Sequence, residues 1–138
     1  LMDGVPMKRM MALFALSACS PTVITVPINY SVVDDPSERH IRMIFENTNN
    51  RNICIDSDYW PNETGTINSL DERMGLHIGD DQLINNNNID EYCPGGCTYR
   101  VSPGEEITAT IPYSDFGVPE DLVNSQKILE FRSQGYLC

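Results

Sequence analysis

The chain of 138 residues carries 9 basic and 20 acidic side chains, a formal net charge of −11. That length is one domain's worth and supports a modest core. The charge excludes nucleic acid as a partner, because phosphate binding needs a basic surface, whereas a basic protein or a cation is attracted and solubility is served in any case.

The first stretch with a distinct chemistry is residues 7–19, Met-Lys-Arg-Met-Met-Ala-Leu-Phe-Ala-Leu-Ser-Ala-Cys. Met7 reads as a better start than Leu1. Lys8 and Arg9 form a positive region, and the apolar run from Met10 to Ala18 is too short to span a bilayer, which takes about 20 residues. Ser20 and Pro21 end the pattern. Leu16-Ser17-Ala18-Cys19 resembles the bacterial lipobox: an aliphatic residue, two small residues and a cysteine. The resemblance implies lipidation of Cys19. Its thiol becomes a thioether to diacylglycerol, the small residues admit a peptidase, and the freed amine is acylated. Each buried methylene contributes about 0.8 kcal/mol, and stable anchoring takes more than one chain. The competing reading is ordinary secretory cleavage with Ala15 and Ser17 as the recognised pair, which leaves Cys19 a lone thiol.

The expected organisation follows. Residues 1–18 are upstream residues and signal peptide, 19–22 the lipidated cysteine and a short tether, and 23–138 a single β-domain. The expected location is the bacterial cell envelope, lipid-anchored. Ser20 after the cysteine, rather than Asp, favours the periplasmic face of the outer membrane by the same resemblance. Removing Lys8, Arg9 and Asp3 leaves 7 basic and 19 acidic residues, a net of −12, so the lipid rather than the domain must hold the membrane.

Beyond the tether, Ile24, Val26, Ile28, Tyr30 and Val32 alternate with polar residues, the period of a half-buried strand. Pro27 marks it as an edge strand, and Asp34-Asp35-Pro36-Ser37 is a turn. A second strand places Ile41, Met43 and Phe45 on one face and His40, Arg42 and Glu46 on the other. The polar run 47–52 reads as a hairpin-like connection to a third strand, Ile53-Cys54-Ile55, that runs on to Tyr59 and Trp60. Residues 66–92 are less regular, with a strand around Leu76, Ile78 and Leu83 and exposed loops at Gly79-Asp80-Asp81 and at 85–88. Cys93-Pro94-Gly95-Gly96-Cys97 is a tight turn. Tyr99 and Val101, then Ile107, Ala109 and Ile111, alternate on either side of a Pro103-Gly104-Glu105-Glu106 turn. Residues 119–123 form one helical turn with Pro119 at its first position. Residues 127–138 read as a last strand, with Leu129 and Phe131 inward and Glu130 and Arg132 outward.

Six or seven short strands between turns predict an all-β sandwich. Trp60 after the cysteine-bearing third strand, and the Pro-Gly-Glu turn followed by a strand and a short helical crossover, resemble the immunoglobulin-like antiparallel sandwiches of exported bacterial lipoproteins. A small closed β-barrel is the alternative. Of five cysteines, lipidation of Cys19 leaves four, and an oxidising compartment predicts two disulfides. In a sandwich of the type resembled, the third and last strands are antiparallel neighbours. That implies Cys54–Cys138, with Cys93–Cys97 closing across the glycines between them. A zinc site at Cys93 and Cys97 competes, but it lacks a second close ligand pair.

No catalytic motif is present, so no catalytic residues are expected and the protein reads as a non-enzyme. His40 and His77 read as surface histidines. The acidic pairs Asp56/Asp58, Asp80/Asp81 and Glu105/Glu106 read as solvated faces in an acidic chain rather than as catalytic carboxylates. No cofactor is expected. A weak calcium reading attaches to Asp56, Asp58, Asn62 and Glu63, without the glycine and glutamate of an EF-hand loop. Asp56, Asp58, Tyr59 and Trp60 are the candidate binding residues, Trp60 being either an interface aromatic or a core plug. The expected function is a lipid-anchored, non-enzymatic module that binds another envelope protein or supports an assembly. The alternative is an inhibitor of a basic envelope-targeting hydrolase such as lysozyme, through charge complementarity.

Overall fold

The computed structural model describes residues 22–68, 74–89 and 98–138. The expected signal segment, the expected lipidation site Cys19 and the expected Cys93–Cys97 pairing lie outside the described residues.

The chain is all-β. Its strands are β1 (Thr25–Pro27), β2 (Ser31–Asp35), β3 (His40–Glu46), β4 (Ile53–Asp56), β5 (Gly75–Ile78), β6 (Asp81–Ile84), β7 (Thr98–Val101), β8 (Glu106–Pro112), β9 (Ile128–Glu130) and β10 (Gln134–Leu137). One helical turn, α1 (Tyr113–Phe116), and one 3-10 turn, Glu120–Leu122, lie between β8 and β9. The strands form three antiparallel sheets in the orders β1-β10-β4-β7, β2-β3-β8 and β6-β5-β9. None of them closes, so the barrel alternative is not the fold adopted; the arrangement is sandwich-like.

The alternation read from the sequence sets the inward faces. Ile41, Met43 and Phe45 of β3 lie opposite Ile111, Ala109 and Ile107 of β8, and Ile53 of β4 lies opposite Val101 of β7. These residues, with Leu76 and Ile78 of β5, Trp60, Met74 and Phe131, belong to one apolar cluster shared by all three sheets, Ile107 packing at its margin. Burying side chains of this size contributes about 1.5–3 kcal/mol each, so the shared core, rather than any single sheet, carries the stability.

Period-two alternation reports which face a residue takes, not which strand it pairs with. That is where the structure departs from expectation. The single strand read over 24–32 is two strands in different sheets, β1 on β10 and β2 on β3. The break follows Pro27, which has no N–H for a ladder and which does sit on an edge strand. The last strand likewise divides: β9 pairs β5, while β10 pairs β1 and β4. The two breaks meet, because the Tyr30 hydroxyl donates to the Phe131 carbonyl at 2.5 Å.

Residues 47–52 are not a hairpin connection. They carry the chain from the β3 sheet to the β4 sheet. Asn47 is fully buried there. Its Nδ2 donates to the carbonyls of Arg51 (2.8 Å) and Val101 (2.9 Å), and its backbone N–H to that of Glu105 (2.9 Å). Residues 85–88 are not a uniformly exposed loop either. Asn85 is buried, and its Oδ1 accepts the Asn87 N–H at 2.7 Å. Pro119 precedes the 3-10 turn as its cap rather than as its first residue.

β10 and β4 are antiparallel neighbours, with Tyr136 opposite Cys54. The expected Cys54–Cys138 disulfide joins them, its Cα atoms 5.3 Å apart. Among the described residues no helix is long and apolar enough to cross a membrane.

Candidate functional site

The turn after β4 separates the residues that the sequence grouped together. It closes with the Tyr59 N–H on the Asp56 carbonyl (2.9 Å), and Ser133 Oγ donates to the Tyr59 carbonyl (2.6 Å). Asp56 and Tyr59 face one side, where with Val23, Thr25, Gln134 and Tyr136 they line a shallow groove of about 450 Å³. The Asp56 carboxylate is already engaged, accepting from Thr98 Oγ1 (3.0 Å) and the Tyr136 hydroxyl (3.4 Å). Asp58 stands exposed on the turn. Trp60 turns the other way. Its side chain is 2% exposed and packs edge-on to Tyr30 (centroids 6.1 Å, 79°) and tilted against Phe45 (6.3 Å, 59°). The core reading of Trp60 is the one the structure adopts, so as a surface anchor the expectation is corrected: the hydrophobic gain of burying the indole outweighs its use as a contact.

The oxygens proposed for calcium do not converge. Asn62 Oδ1 accepts from the Thr64 N–H, the Thr64 hydroxyl and the Thr66 N–H at 2.9–3.0 Å, closing its own turn. Among the described residues no three His, Cys, Asp or Glu side chains are grouped to hold a metal ion. His40 lies at the end of β3 opposite Asp35 and Pro112. His77 of β5 contacts the Glu130 carboxylate of β9 across the strand pair. The Asp35 carboxyl sits below its usual range, held down first by the Ser37 hydroxyl and the Glu38 N–H and then by the nearby His40.

One constellation escaped the sequence reading. Lys127, the only lysine after Lys8, has a side chain that is 1% exposed. Its Nζ donates to Asp34 Oδ2 (2.9 Å) and to the carbonyls of Val123 (2.6 Å) and Ser125 (2.9 Å), and lies 4.8 Å from the centre of the Tyr113 ring. The Tyr113 hydroxyl donates to the other Asp34 oxygen. Burial, then the Asp34 carboxylate, push the Tyr113 phenol well above its usual value. All three ammonium donors are satisfied and sealed from solvent, so the cluster pins the 119–127 crossover to β2 rather than meeting a substrate. Its signal in the sequence was the singularity of the lysine.

On the far side of Trp60 the shared core opens. β7 and β8 are edge strands of two different sheets, joined by the turn that Asn47 grips. Between them lies a recess of about 490 Å³, floored by Trp60 and Pro61, with Tyr99 and Thr108 on its walls and Glu63 and Glu106 on its rim. Tyr99 pairs with Ile55 in register and so faces inward, but at the sheet margin it is half-buried. Burial pushes its phenol upward, and the neighbouring Glu63 carboxylate adds to that. The turn that carries Glu63 packs against β8 beside the recess. Gly65 has a φ of +82°, and a Cβ there would lie 2.8 Å from the Thr110 carbonyl oxygen of β8. Only glycine allows that turn so close to the strand. An aromatic wall with carboxylates at its mouth is suited to holding a cation.

No protein-family model, curated protein or solved structure matches the chain.

Proposed function

We propose that the chain is a lipid-anchored protein of the bacterial cell envelope whose domain, an immunoglobulin-like sandwich, binds another protein without catalysing a reaction. The address rests on Leu16-Ser17-Ala18-Cys19. The Cys54–Cys138 bond supports it, because structural disulfides form and persist in oxidising compartments. The observation that carries the binding role is the acidic, aromatic-walled recess between the β7 and β8 edges of a strongly negative chain. Its two carboxylates sit at an open rim above apolar side chains, where they favour contact with a basic surface.

The lipid-bearing protein, used as bait in envelope extract, is expected to retain a basic protein that high salt releases. The purified protein is expected to be inert towards peptidoglycan, peptide, ester and phosphate substrates. Turnover abolished by a single substitution at Asp56, Asp58, His40 or His77 would contradict the reading. The second reading, inhibition of a basic hydrolase such as lysozyme, is favoured by the β5–β6 hairpin, whose tip exposes Asp80 and Asp81. Loss of lysozyme activity on mixing would distinguish it.

A further inference from the structure

Resting on that reading, we propose that the recess between β7 and β8 receives an arginine side chain from an extended segment of the partner, laid along the β8 edge.

Three observations point to this occupant. The first is uncompensated charge. Glu46 of β3 and Glu106 of β8 are directly opposed in the ladder, an arrangement that destabilises an antiparallel pair. Both are exposed, as is Glu63. Among the described residues, the ion pairs are Arg39–Glu120, His77–Glu130 and Lys127–Asp34, and none of them reaches these three carboxylates. Arg42, on the same face of β3, lies opposite Thr110 at the far end of the recess. A cation at the mouth would relieve this repulsion.

The second is shape. The recess sets the half-buried Tyr99 beside Glu63 and Glu106, over a floor that includes the edge of Trp60, which is 2% exposed. A guanidinium is planar, stacks on aromatic faces and forks to carboxylates, while its three-carbon stem packs on apolar walls such as Ile107 and Pro61.

The third is the strand edge. The Thr110 carbonyl oxygen lies 2.8 Å from where a Gly65 Cβ would stand, while the carbonyl of Glu105, just before β8, accepts from the Asn47 N–H at the end of β3 (2.9 Å). Backbone groups of successive strand residues point to opposite edges of the ladder, so with Glu105 turned to β3, Glu106, Thr108 and Thr110 present theirs along the outer edge of β8. An extended peptide adds there as a further strand, its main chain supplying affinity and alternate side chains supplying specificity.

Trp60 is the only tryptophan, so its emission reports on the recess. The test uses the full lipid-anchored chain in neutral detergent and a short threonine/valine peptide with one central arginine, beside the same peptide carrying citrulline. The arginine peptide is expected to bind and shift the Trp60 emission, and the citrulline peptide to bind about tenfold or more weakly, as a charge-assisted hydrogen bond predicts. Glu63→Gln with Glu106→Gln is expected to weaken the arginine peptide to a similar degree. Both positions are exposed and Glu106→Gln relieves the repulsion with Glu46, so the thermal melt should not fall. Equal binding of citrulline and arginine peptides, undiminished binding by the Gln variant, or binding without a change in Trp60 emission would each overturn the assignment. If the arginine peptide fails to bind while envelope extract still yields a salt-sensitive basic partner, the recess is wrong and the binding role survives; if neither binds, both fall.

Discussion

Gly65 stands on the backbone of Thr110: a methyl group at Gly65 would come within 2.8 Å of the Thr110 carbonyl oxygen and 3.1 Å of the Ile111 Cα. This contact joins the turn after Trp60, which carries Glu63 of the recess, to the edge of β8. Gly65→Ala meets both a left-handed backbone and a steric clash, and is expected to cost about 1–3 kcal/mol. Gly79→Ala is the control. Its φ is +60°, but nothing lies within 4 Å of the added carbon. Denaturant unfolding should therefore show the larger loss at Gly65, and only Gly65→Ala should alter Trp60 emission.

The buried Lys127–Asp34–Tyr113 cluster predicts strong, coupled effects. Lys127→Ala leaves the Asp34 carboxylate and two carbonyls without their donor, and breaking a buried pair costs about 3–5 kcal/mol. Tyr113→Phe removes the hydrogen bond to the same carboxylate. Because the two changes share Asp34, their combined cost should fall short of the sum. An additive double-mutant cycle would mean that the two contacts act independently.

The tyrosines predict an alkaline limit. Tyr30, Tyr99 and Tyr113 all have phenols raised by burial. The folded state holds these protons more tightly than the unfolded chain, which releases them near the ordinary phenol value of about 10. Their contribution is thus fully present below that value and is lost as pH rises through the folded-state values. Unfolding free energy should fall with rising pH from about 10 upward. Tyr113→Phe should flatten that slope, and an unchanged slope would contradict the account.

Cys54 and Cys138 are separated by 84 positions. Closing a loop of that length contributes about 4–5 kcal/mol in the chain-entropy model. Reduction, or Cys54→Ser with Cys138→Ser, is expected to lower stability towards that extent, with the loss beginning at β10, the strand the bond holds to β4. Non-reducing peptide mapping should recover a Cys54–Cys138 peptide; a Cys54–Cys93 peptide would contradict the strand order.

Much of this was legible in the sequence wherever one rule acted locally. Ile41, Met43 and Phe45, and later Ala109 and Ile111, alternate cleanly, and the structure buries them. The Cys54–Cys138 pair follows from the adjacency of the third and last strands. Strand partners were not legible. Ile28 stays buried after Pro27, so the alternation continues through the switch of sheet and conceals it. The candidate residues were adjacent in sequence, but the turn at Asp56 points Tyr59 and Trp60 to opposite sides. The recess and the Lys127 cluster bring distant segments together, Glu63 near Tyr99 and Asp34 against Lys127; the lone lysine marks the second, but spacing does not name its partner.

The central claim is that a lipid at Cys19 holds this acidic domain in the envelope. Intact-mass measurement of the protein recovered from bacterial membranes tests it most directly. The account predicts a chain beginning at Cys19 with the added mass of diacylglycerol and an amide-linked acyl group, and a Cys19→Ala variant that is released or stalls unprocessed. A membrane-bound chain with an unmodified Cys19, or a Cys19→Ala variant processed and retained as before, would contradict it.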